Sequence, residues 1–176
     1  MAVFGVARIH SASAAMRPHV EWACARALGR RLRLEWLSQP ARPGTFRADF
    51  EWRGELGTGE RLASALKACG RVSFEVAQDP VAGCDGMRWT YTPSLGLHAA
   101  QVDQSGGVVI GEQRLRAALE GASDLRRAIE GLLGSDWDGE LEALRMAGGA
   151  VELARSPRNG RLPKPTAVSR IVSGGY

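Results

Sequence analysis

The stretch HSASAAMRPHVEW, His10 to Trp22, sets two histidines, two serines, an arginine and a glutamate between an apolar run and a helical pattern. A base beside a hydroxyl activates a nucleophile, and a carboxylate can orient an imidazole. Ser11 directly follows His10, however, and on a regular strand adjacent side chains point to opposite faces. His10 and His19 match no compact metal-ligand spacing, and no Cys or Asp joins them closely. Glu21 falls in the first turn of a predicted helix, where the macrodipole favours a carboxylate without any catalytic role. The stretch therefore reads as a strand end, a polar turn and a helix start, with no catalytic residue, metal site or cofactor assigned. Ligand binding is the function the turn could carry, through a small pocket lined by His10, Ser11, Arg17 and His19 and an anion at the helix start.

Other chemistry-bearing stretches resolve into ordinary structure. GELGTGERLASAL, residues 54–66, puts three glycines before a helix. It matches neither dinucleotide nor P-loop spacing, since Leu62 stands where the third glycine is needed and no lysine follows Gly59. SDWDGELEALR concentrates Asp136, Asp138, Glu140 and Glu142. It lacks the ligand series of a calcium loop, and helical periodicity from Trp137 makes it an acidic helix start. The three cysteines, Cys24, Cys69 and Cys84, form no C-x-x-C pair; two lie on apolar helix faces and one in a loop.

The elements that would position these groups come in a definite order. AVFGVARIH is a short strand. Val20, Ala23, Cys24, Ala27 and Leu28 then recur on one helical face, with Pro18 in the first turn and Gly29 at the end. LRLEWL, about 32–37, and TFRADFEWR, about 45–53, alternate as strands. Leu62, Ala65, Leu66 and Cys69 mark a second helix, and RVSFEVA, about 71–77, a fourth strand. This order predicts an α+β fold with a ferredoxin-like βαββαβ core over residues 1–80. The predicted open sheet face carries Arg8, His10, Arg33, Glu35, Arg47, Asp49, Glu51, Arg53, Ser73 and Glu75, and reads as a wet, charged surface. The aromatic residues lie on the other side, so a base-stacking RNA platform is not expected. An added β-hairpin about TPSLG and C-terminal helices fill residues 81–153. Residues 154–176 form a basic, Pro/Gly-rich tail.

Charge is unevenly spread. Residues 1–53 hold 9 Arg against 4 acids, residues 54–150 hold 9 basic and 14 acidic residues, and residues 151–176 hold 5 basic residues and one acid. The acidic middle argues against a general nucleic-acid binder. No segment has the length of a membrane span, and MAVFGVARIHSAS lacks the features of a secretory signal, so a cytoplasmic protein is expected.

At HSASAAMRPHVEWA, GTGERLASAL, FEVAQDPVAGCDGMRWTYTPSLG, RLRAAL and LLGSDWDGELEALRMAG, the chain resembles an actinobacterial family of conserved proteins of unknown function. The resemblance runs from about residue 3 to 147 and leaves the segment after Leu153 outside. It implies a cytoplasmic protein encoded near fatty-acid-synthesis genes, and it assigns no catalytic residue. The reading that follows is a non-enzymatic interaction or regulatory module with a protein partner or a homodimer. Arg155, Arg158, Arg161 and Lys164 are the partner-binding candidates. The alternative is a small-molecule-binding domain or enzyme that uses the His10-to-Glu21 turn.

Overall fold

A computed structural model describes residues 1–155. Arg158, Arg161 and Lys164 lie outside the described residues. Arg155 ends the last helix, and its side chain is likewise not among those described.

Among the described residues, seven strands form one antiparallel sheet. They are β1 (Ala2–Ser13), β2 (Leu37–Ser38), β3 (Thr45–Glu55), β4 (Val72–Gln78), β5 (Gly86–Thr92), β6 (Gly96–Val102) and β7 (Val108–Val109), in spatial order β2-β3-β1-β4-β5-β6-β7. Five helices accompany them: α1 (Arg17–Leu28), α2 (Thr58–Ala68), α3 (Glu112–Gly121), α4 (Leu125–Leu133) and α5 (Ser135–Arg155). The fold is thus mixed α+β, and the TPSLG hairpin extends the sheet beyond β4.

Helices α1 and α2 bury their apolar stripes on one sheet face. Val20 and Cys24 from α1 and Leu62 and Leu66 from α2 meet Ile9, Trp52, Phe74 and Val76 in the core. Gly29 closes α1 with φ 66°, a left-handed conformation that favours glycine. Gly5 lies where β1 runs hard against its surroundings: a Cβ there would stand 2.6 Å from the Trp52 ring.

Two expectations need correction. LRLEWL does not form a six-residue strand, because only Leu37–Ser38 pairs with β3. One backbone N–H and the indole are tied to α1 instead. Glu21 accepts hydrogen bonds from the Leu34 N–H at 3.1 Å and the Trp36 indole at 3.0 Å. Leu32, Leu34 and Trp36 still pack against the core, so the alternation reports burial without a ladder.

The second sheet face is not wholly wet either. Helix α5 crosses it and buries His10, Arg47, Ser73 and Glu75, while Arg8, Asp49, Glu51 and Arg53 stay exposed. The driving force is apolar: Leu141 and Leu144 are buried at 0% and 4% exposure. Trp137 fixes the start of the helix, donating from its indole to the Gly96 carbonyl at 2.9 Å and packing on the His98 ring.

Candidate functional site

The site begins with a fault in a strand. On β4, Ile9 faces Phe74 and Ser11 faces Ser73, so two steps of β1 match one step of its neighbour. The same shift recurs against β3. This β-bulge inserts one residue and reverses the alternation of side chains beyond it. His10 and Ser11 consequently share the second face, contrary to the alternation expected of a regular strand.

His10 reaches Glu75 on the adjacent strand, with Nε2 2.6 Å from Oε2. Arg145 of α5 comes down on the same carboxylate. Its Nε donates to Oε2 at 3.2 Å and its Nη2 to Oε1 at 2.5 Å, a bidentate grip. The Arg145 Nη2 also donates to Asp138 at 2.9 Å. Burial pushes the Glu75 carboxyl up, but the hydrogen bonds from His10 and Arg145, with their charges, outweigh it and hold the carboxyl at about 2. An ionised carboxylate only accepts hydrogen bonds, so the His10 Nε2 carries the proton. Burial also works against the Arg145 charge, and Glu75 and Asp138 more than compensate.

Gln39 completes the joint. Its side-chain amide donates to the His10 carbonyl at 2.8 Å and the Leu144 carbonyl at 3.2 Å, and its oxygen accepts from the Ala41 N–H. One buried glutamine therefore ties the bulge to α5. In the sequence it was merely the first residue of the QPARPG turn, and nothing in its neighbours marks it out.

Between α5 and the sheet lies a cavity of about 640 Å³. Four arginines (Arg8, Arg47, Arg88, Arg145), four acids (Asp49, Glu75, Asp138, Glu142) and His10 supply its charged wall. Arg47 is 8% exposed, and its Nε and Nη2 meet no hydrogen-bond partner among the described residues.

The four turn residues are dispersed around this geometry. His10 lines the cavity, and Ser11 is buried beside it with its hydroxyl 3.5 Å from the Arg42 guanidinium. Arg17 lies over the rings of Phe46 and Trp36, at 4.8 and 5.7 Å from their centres. His19 is exposed on the first turn of α1. Glu75, Arg145 and Arg47, which the sequence placed on a wet face or a helix surface, prove to be central. A charged residue alternating with apolar ones looks the same whether solvent or a helix covers it.

The cysteines are free thiols. Burial pushes Cys24 up to about 12, with Cys69 and Glu21 adding to it, so this thiol stays protonated and inert. Among the described residues no helix is long and apolar enough to cross a membrane, and no group of His, Cys, Asp and Glu is placed to hold a metal ion.

No curated protein and no solved structure matches the chain significantly. A family model does match: residues 6–155, which take in the whole sheet from Val6 onward, the buried His10–Glu75–Arg145 cluster and all of α5, fit the model of the DUF3145 family, described as proteins of unknown function, and the chain belongs to that family.

Proposed function

We propose that the chain is a non-enzymatic interaction or regulatory module that holds a small ligand beneath α5 and meets a protein partner through the basic segment that follows. One observation carries the reading: His10, Glu75 and Arg145 at the cavity wall are committed to one another. The His10 Nε2 is occupied by Glu75, and both Glu75 oxygens are occupied by Arg145. A catalytic imidazole needs its second nitrogen beside a nucleophile or a reacting group, and among the described residues no hydrogen bond joins His10 to a hydroxyl. Ser11 has Arg42 beside its hydroxyl rather than a base. Such a cluster fastens a helix to a sheet.

The first half reads as a ferredoxin-like βαββαβ unit. The order β2-β3-β1-β4 with α1 and α2 on one face supports this. Exposed Leu119 and Leu125, on α3 and α4, support association with a partner or a second copy. The link to fatty-acid synthesis rests on the family resemblance, and the cytoplasmic setting on that resemblance together with the N-terminal sequence. A second reading, a ligand or substrate site at the strand-to-helix turn, gains from the bulge that turns His10 and Ser11 to one face. It loses from Arg17, whose guanidinium stacks on two aromatic rings.

The test is affinity capture with the full chain and with a variant carrying Arg158→Glu, Arg161→Glu and Lys164→Glu. A specific protein partner held by the natural chain and lost by the variant is expected. Equal retention by both would move the interface onto residues 1–155, and capture of no partner by either would sink the interaction reading.

A further inference from the structure

We propose that Arg47 anchors an oxyanion site, taking the carboxylate or phosphate end of a small organic ligand whose body occupies the cavity beneath α5. The proposal rests on the reading of this cavity as a binding site and names what it binds.

Arg47 is a guanidinium more than nine-tenths buried, and two of its nitrogens lack partners among the described residues. A buried charge without a partner is strongly unfavourable, so its retention calls for a counter-charge supplied from outside. The identity of the two atoms narrows the ligand. Nε and Nη2 carry parallel N–H groups along one edge of the guanidinium, the edge that matches two oxygens of a carboxylate or phosphate. The same cavity holds a worked example. Arg145 grips the Glu75 carboxylate through its own Nε and Nη2. Arg47 has the same edge with no carboxylate on it, and protein atoms cover that edge, so a ligand in the cavity reaches it as the guanidinium turns outward. Its Nη1 lies toward α5, where a Cβ on Gly148 would stand 3.3 Å from that nitrogen.

The surrounding charges point the same way. Glu75, Asp138 and Glu142 are all drawn to Arg145, and Glu75 to His10 as well. Asp49 has a contact of its own. Arg8 and Arg88 line the cavity without an ion pair among the described residues. They give the incoming anion two further positive charges. Ile9 and Leu144 offer apolar wall for an organic body. A cavity of about 640 Å³ is far larger than a bare anion needs and has the size of a small-molecule site.

The test titrates the full chain separately with inorganic phosphate and with propionate, chloride keeping ionic strength constant. The readout is the Arg47 Nε–H resonance with the backbone amides of β1 and β3. A saturable shift with at least one probe is expected, and the stronger probe names the oxyanion. Arg47→Lys, which keeps the charge but loses the paired edge, should bind about tenfold more weakly. Arg47→Met should not bind. This variant removes an unpaired buried charge, so it should unfold at or above the natural temperature. If it fails to fold, the lysine variant carries the comparison. No saturable shift with either probe, or undiminished binding in the Lys or Met variant, would overturn the proposal. Partner capture does not read the Arg47 resonance, so the module reading and the oxyanion site can fail separately.

Discussion

Glu75 receives His10 from the neighbouring strand and Arg145 from α5, and its ionisation makes a measurable prediction. The folded carboxyl titrates at about 2, against an ordinary value of 4.5. A carboxyl depressed by folding contributes stability that is complete above its unfolded value and is lost as pH falls through its folded one. The window therefore runs from about 4.5 down to about 2, and the amount is of order 3 kcal/mol. Urea unfolding of the natural chain and of Glu75→Gln should differ by roughly that much at neutral pH. The gap should close as the medium is acidified through the window, because protonated glutamic acid and glutamine are near-isosteres. A gap that stays constant with pH would show that the His10–Glu75–Arg145 cluster contributes nothing through charge. The sequence offered these residues only as separate members of charged patterns. Glu75 alternates with Phe74 and Val76, and Arg145 lies 70 positions away. Their meeting depends on the path of α5, for which periodicity holds no information.

At the scale of elements, much was readable and the misses have causes. The position of β1 follows from a short β-branched run, β3 and β4 from alternating apolar residues, and α1 and α2 from apolar stripes ended by glycine. The length of β2 was misjudged because burial and laddering leave the same alternation at Leu32, Leu34 and Trp36. The bulge in β1 was invisible, since a single inserted residue changes no residue type. Helix α5 was expected from its own pattern, but the face it covers was not. Its docking rests on few apolar side chains, so it should be separable from the sheet. Leu141→Ala removes a fully buried side chain and should destabilise the docked helix by about 3 kcal/mol. Amide exchange should then accelerate across α5 while β1 and β4 remain protected. Equal acceleration in α5 and β1 would mean that helix and sheet open only together.

At the scale of the whole molecule, the question is whether residues 1–80 and those beyond fold as one unit. The sheet runs without a break across that boundary, because β4 pairs with β1 on one side and with β5 on the other. The core crosses it as well. Tyr91 of β5 stacks on Phe74 with ring centres 5.3 Å apart, and its hydroxyl donates to the Gly70 carbonyl at 3.2 Å. Trp89 presses so closely on the first turn of α2 that a Cβ on Gly59 would stand 2.7 Å from its ring. The hairpin thus completes the core beneath α2. Helices α3 and α4 bury no residue fully and contribute little to that cooperativity. One principal transition is therefore expected on denaturation, with near-UV dichroism from Trp52 and Trp89 and far-UV dichroism from the sheet sharing a midpoint. Two separated midpoints would place a folding boundary between β4 and β5. They would also make β4 an edge strand in the intermediate, exposing Val72, Phe74 and Val76 to pairing with other chains.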